Sequence, residues 1–366
     1  VNKIIQHLQQ LNLEQSQAFS SDEARKTRAH YRVDHPTEFS ATECMDGRVE
    51  IQVATGVPVG IIQPYRTLGG MFDIGSPYFG DVINDWVDYS NSRGRDCVMF
   101  VTYHFSKTAK HLGCKGFNYE TADASAYMGT LRREVEQSFV LKKKPLHAIK
   151  VGIETDEGAL VLHGDDGVVL NMADALLFSR GDLLSRVRQL YPRMNHQMLI
   201  DLVELLVGNQ QHIQAIRAEN RQPSELDHDE SALLFGRGFH WLHKPNLALN
   251  VGPFDKDLTR PVVVAAGILA KNLQNRRSFS KEDGVVLMTS AVSMGDEAKD
   301  VPLREKKSIY LAKIAYEAIM KEVPELRDCL HVVAGVMNHE TRMYTMIDPT
   351  RLEFVKAPSM SHFVTV

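Results

Sequence analysis

Two nine-residue runs, VMFVTYHFS from Val98 and VVLMTSAVS from Val285, are almost wholly apolar yet too short for buried helices. Runs of that kind read as strands buried on both faces, the signature of a parallel sheet. The first is flanked by stretches of helical apolar spacing. FGDVINDWVDYSNSRG reads as a helix stopped by Gly94, and TADASAYMGTLRREVEQSFVL reads as another helix. VEIQVATG reads as a strand, VGIIQPYRTLGG as a strand running into a loop, and HAIKVGIETDEGALVLHG as a strand pair. Strands alternating with helices imply an α/β layered fold, with a mostly parallel sheet and helices on its faces.

The alternation occurs twice. GMFDIG at Gly70 is echoed by GPFDKD at Gly252, an offset of 182 residues. The two apolar runs lie 187 apart, and VGIETDEGALVLHG at Val151 resembles AGVMNHETRMYTMIDP at Ala334, 183 apart. Three similar offsets in the same order point to two related units. Residues 1–39 then form an N-terminal helical arm, 40–165 the first unit, 166–240 a helical connecting region and 241–366 the second unit. The polar stretch ENRQPSELDHDES is the best linker within the connecting region.

The repeat also serves as a control on the chemistry. At these offsets His104 falls opposite Ala291, and Cys44 falls within LDHDES, where there is no cysteine. Cys44 and His104 therefore have no counterpart in the second unit, which is expected to be degenerate and metal-free.

The chain's 366 residues and 24% charged content suit two ordinary globular units. A net charge of −4 gives no footprint for nucleic acid or an anionic membrane. No apolar run approaches the roughly 20 residues needed to span a bilayer. The expected setting is cytoplasmic. Four cysteines in such a length are no disulfide framework, so free thiols or metal ligands are expected. Cys97 and Cys329 border apolar strands and read as small core residues.

Cys44 and Cys114 keep different company. ECMDGRV places Cys44, Asp46 and Arg48 at alternate positions, on one face if the segment is extended. Arg48 can hold Asp46 by a forked, charge-assisted pair. Cys114 follows His111 by three residues and His104 by ten, and either histidine could join the thiols. Two cysteines and a histidine suit zinc, whose catalytic sites use three protein ligands and leave a fourth position to water. The pair His240 and His243 reads as ordinary structure. ETDEG and HGDDG lack the alternating ligands of a calcium loop and read as solvated turns.

Cys-x-Asp-x-Arg, then RTLGG from Arg66 to Gly70, then a histidine at a strand end followed by Gly-Cys, resembles the β-class carbonic anhydrases. YHFSKTAKHLGCKGF is similar more narrowly to the carboxysome shell branch, in which an insertion separates the metal-binding histidine from the second cysteine. That branch also carries a second, metal-free copy of its unit. The resemblance spans roughly residues 40 to 366. It implies two β-carbonic-anhydrase-like units, with Zn²⁺ held by Cys44, His104 and Cys114 and with Asp46 and Arg48 as catalytic dyad. His104 is preferred to His111 because it ends the buried strand, as the family's histidine does. The implied reaction is reversible hydration of carbon dioxide to bicarbonate and a proton, by hydroxide generated on the zinc. Carbon disulfide or carbonyl sulfide hydrolysis, and a non-catalytic zinc scaffold or shell component, are the alternatives. The family also implies homo-oligomers and association with a carboxysome shell or its Rubisco. Its long N-terminal region is reduced here to about 35 residues, so a free cytosolic relative is the competing expectation.

Overall fold

The computed structural model describes residues 2–141, 146–221, 225, 227–295 and 297–355. The linker expected at ENRQPSELDHDES lies partly outside them, as does the end of the expected second unit. The N-terminal arm is two helices. Asn2 caps α1 (Lys3–Ser20) by accepting from the backbone N–H groups of Ile4 and Ile5. In α2 (Asp22–Asp34) no residue is buried.

The first half of the chain then runs β1 (Glu38–Cys44), α3 (Ile51–Ala54), β2 (Ile62–Thr67), α4 (Pro77–Asn91), β3 (Cys97–Phe105) and α5 (Thr121–Leu141). It continues with β4 (Leu146–Glu154), β5 (Ala159–His163), β6 (Val169–Asn171), α6 (Arg180–Leu190) and α7 (His196–Glu219). The second half runs β7 (Ala232–Gly236), β8 (Ala248–Val251), α8 (Arg260–Asn272), β9 (Val285–Ser293), α9 (Glu297–Glu322), β10 (Leu330–Asn338) and β11 (Tyr344–Met346). Among the described residues, no helix is long and apolar enough to cross a membrane.

The strands form two sheets, ordered β2-β1-β3-β4-β5-β6 and β11-β10-β9-β7-β8. In the first, β1 is parallel to β2 and β3, β3 is parallel to β4, and β5 and β6 return antiparallel. In the second, β7 is parallel to β8 and β9, β9 is parallel to β10, and β11 returns antiparallel. Strands β7 to β11 thus repeat the order and sense of β1 to β5. The fold is α/β, with two mostly parallel sheets flanked by helices.

The pleat corrects the alignment of the two halves. In the first sheet Cys97, Met99, Val101 and Tyr103 pack with Ile83 and Val87 of α4 and with Leu131 and Val135 of α5. His104 therefore projects from the opposite face. In the second sheet Thr289 turns to α9, bonding the carbonyl of Ser308, while Val286 and Met288 pack with Ile4, Ile5 and Leu8 of α1. Matching the helix-facing sides pairs His104 with Val292 rather than Ala291, because a one-residue slip moves every side chain to the other face. Strand pairing (Phe39 with Val98, Ala232 with Val286) then sets Cys44 against Arg237. The counterpart positions still lack thiol and imidazole.

By contact, one compact unit is residues 26–227 with 254–256, and the other is 1–25, 228–253 and 257–366. These limits differ from the boundaries read at 40, 166 and 241. Helix α1 joins the later unit because its apolar stripe completes that unit's core. Helix α7 belongs to the earlier one, where its buried Asn209 donates to the carbonyls of Ala54 and Gly158 and accepts from the N–H of Leu160.

VEIQVATG is not a strand. Val49 and Glu50 are irregular and the single helical turn α3 follows, ending in a turn at Thr55 and Gly56; the first N–H of α3, at Ile51, donates to Glu43 Oε1 (3.0 Å). A buried carboxylate supplied by the neighbouring strand overrides the local β preference.

Candidate metal centre

Cys44 is the last residue of β1 and His104 the last but one of β3, so two adjacent parallel strands deliver them at their carboxyl ends. Crevices at those ends are where open α/β sheets collect ligands. Cys114 arrives from the loop after β3, one residue before a short 3₁₀ turn at Lys115–Phe117. All three residues are buried, and their ligand atoms lie within 4.8 Å of one another.

The donor set fits zinc. The two sulfurs are 3.9 Å apart, against about 3.8 Å for two Zn–S bonds of about 2.3 Å at the tetrahedral angle. Neither ring nitrogen of the buried His104 has a hydrogen-bond partner among the described residues. Such unmet polarity is costly unless a ligand meets it. The thiols are electrostatically unequal. The Cys114 thiol and burial push Cys44 well up, while the contact from Cys44 and the backbone N–H groups of Gly116 and Phe117 draw Cys114 down.

Asp46 and Arg48 meet, though not as expected. The strand ends at Cys44 and the chain turns, so the pair does not continue along one face of an extended segment. Asp46 Oδ1 accepts from the Arg48 backbone N–H (2.9 Å) and from Nε (3.0 Å), and Oδ2 accepts from Nη2 (2.6 Å). The same Nη2 donates to the Leu112 carbonyl at 2.9 Å, tying the dyad to the loop that bears Cys114. Asp46 Oδ2 lies 4.0 Å from His104 Nε2, at the edge of the donor set.

His111 stands apart. Its side chain is 70% exposed, with Nε2 3.5 Å from Asp227 Oδ1. Tyr103, beside the strand end, bonds His163 at 2.9 Å and packs with the α4 and α5 residues. Cys97 is a core residue. In HGDDG, Asp165 pairs with Arg132 and Arg193.

In ETDEG, the buried Glu154 accepts from the backbone of Lys107, Asp156 and Glu157, anchoring the loop after β3. Burial and then Asp156 raise its carboxyl from 4.5 to about 7. The folded state therefore holds this proton more tightly than the unfolded chain. The resulting stability is full below about 4.5 and is lost as pH rises towards about 7. Glu154→Gln should flatten that decline, read as urea midpoints across the interval.

RTLGG earns its glycines here. Gly69 sits at φ +67°, and a Cβ there would fall 3.0 Å from Phe117 Cε2 and 3.4 Å from Cys114 Sγ. Gly69→Ala should cost about 1–3 kcal/mol from the left-handed backbone. It should also loosen the Cys114 loop, checked by denaturant unfolding together with zinc retention during dialysis.

Beneath Cys44 lies a cluster that sequence reasoning missed. Arg66 Nη2 donates to Glu50 Oε2 (2.7 Å) and pairs with Glu43 Oε2 (2.9 Å), while Nη1 donates to the Cys44 carbonyl (3.1 Å). All three charged residues are buried. Burial, partly offset by Arg66, raises Glu43 to about 7, and burial raises Glu50 as well. The available signal was a glutamate inside EFSATEC and an arginine inside IQPYRT, two charges in otherwise buried strands.

Comparison of the chain with protein-family models gives no match, and comparison with curated proteins gives none either.

Proposed function

We propose that this protein is a zinc-dependent carbonic anhydrase, hydrating carbon dioxide reversibly to bicarbonate and a proton. The observation that carries this reading is the buried Cys44–His104–Cys114 donor set with the Asp46–Arg48 pair at its edge. Three soft or borderline ligands match a catalytic zinc with one open position. A structural zinc needs a fourth protein ligand and has no use for an adjacent carboxylate–guanidinium pair.

Zinc, when bound, lowers the pKa of a water in its open position to about 7 and so supplies a nucleophile near neutral pH. The remaining work falls to the chain. Asp46 accepts a hydrogen bond from the attacking oxygen and aims its lone pair at the substrate carbon. Arg48 engages both Asp46 oxygens by a forked, charge-assisted pair and so fixes the orientation of the carboxylate. The proton released must reach solvent, and exposed His111 is available to collect it on the loop joined to the dyad through Leu112.

Stopped-flow hydration of CO₂ by metal-analysed protein tests the proposal. Turnover that scales with zinc content supports it. Turnover of carbon disulfide or carbonyl sulfide without CO₂ would assign a different triatomic substrate, and zinc with no turnover of any of the three would make the centre structural.

A further inference from the structure

The charged cluster under Cys44 does more than fill space. The loop from Cys44 to Glu50 carries one thiol ligand and both members of the dyad, and its two ends are joined through one guanidinium. Arg66 holds the Cys44 carbonyl at the start of the loop (3.1 Å) and the Glu50 carboxylate at its end (2.7 Å). Glu43, paired with Arg66 at 2.9 Å, accepts from the N–H of Ile51, the residue immediately beyond.

The second sheet supplies a control. Glu43 pairs with Arg66 across β1 and β2. With Phe39 matched to Ala232 and Ile62 to Ala248, the counterpart positions are Gly236, the last residue of β7, and Gly252, one residue past β8. A sheet of the same order and sense forms there without any buried charge at these positions. Buried ion clusters are commonly no more stabilising than apolar packing of similar volume. The fold therefore does not require the cluster. It occurs in the unit that holds Cys44, His104 and Cys114.

We infer that Arg66, working through Glu43 and Glu50, is a positioning residue that clamps the base of the Cys44–Glu50 loop and so sets Cys44 and Asp46 against His104 and Cys114. The inference rests on the reading of Cys44, His104 and Cys114 as metal ligands. Groups that orient ligands without touching the metal typically contribute about 10–100-fold to its affinity.

The test compares wild type with Arg66→Met, which lacks the fork, and Arg66→Lys, which keeps a cation but cannot serve both loop ends alike. Zn²⁺ affinity is measured by chelator competition, site geometry by the visible spectrum of the Co²⁺ form, and loop order by amide exchange in the metal-free protein. Zn²⁺ affinity should fall about 10–100-fold in Arg66→Met and by an intermediate factor in Arg66→Lys, with altered Co²⁺ bands. Amide exchange over residues 44–51 should quicken at least about tenfold while that over 97–105 stays unchanged. Should Arg66→Met fail to fold, Arg66→Lys decides by the same readings. Wild-type affinity, spectrum and loop exchange in a folded variant would overturn the clamp. Failure of the wild type to bind Zn²⁺ or Co²⁺ would instead defeat the metal reading, and the exchange arm would still judge the clamp.

Discussion

His104→Ala should reduce bound zinc from about one equivalent per chain to a small fraction of that, and CO₂ hydration should disappear with it. Loss of one of three ligands leaves two thiolates, which cannot complete the same site. His111→Ala should keep its zinc. The contrast is large because the histidines occupy opposite environments. His104 is buried with both ring nitrogens unbonded among the described residues, whereas His111 is mostly in solvent against Asp227. Metal analysis of the two purified variants is decisive, and zinc lost from His111→Ala but kept by His104→Ala would reverse the assignment. Cys114→Ser should behave as His104→Ala does, because a serine hydroxyl is a poor substitute for thiolate on zinc.

Asp46→Ala and Arg48→Ala should separate metal binding from turnover. Neither residue belongs to the proposed ligand set, so both variants should retain most of their zinc while hydration falls by about 100-fold or more. The routes differ. Asp46→Ala removes the acceptor proposed to orient the attacking oxygen and leaves Arg48 with its Leu112 carbonyl contact. Arg48→Ala removes a guanidinium that touches both Asp46 oxygens, leaving a buried carboxylate 4.0 Å from His104 Nε2 and without that restraint. Such a carboxylate can turn into the open coordination position, giving a closed site that holds zinc at least as firmly and turns over slowly. Zinc content and stopped-flow rates on the same preparations check both, and full activity in either would remove the dyad from the mechanism.

The features legible in the sequence were those written in local pattern. α5 occupies the same residues, 121–141, that its helical spacing marks, and β3 is the buried strand that its apolar run implies. The histidine at the end of that strand joins the thiols because a buried strand end is a fixed point, while a loop residue three positions from Cys114 is free to face water. What failed to show was set by tertiary partners. VEIQVATG becomes a helical turn because Glu43, on another strand, supplies its N-terminal acceptor. The counterparts of Cys44 and His104 were displaced because chain offsets ignore which face of the pleat a residue occupies. The Leu112 carbonyl that restrains Arg48 is backbone, and no side-chain motif announces it.

That carbonyl has a consequence for anyone wishing to redesign this centre. One hydrogen bond joins Arg48, which holds Asp46, to the loop that delivers Cys114. Lengthening or shortening the segment between His104 and Cys114 would therefore pull on Arg48 and tilt Asp46 at the same time. The path of that loop and the orientation of Asp46 are mechanically linked, and variants that change one should carry compensating changes for the other.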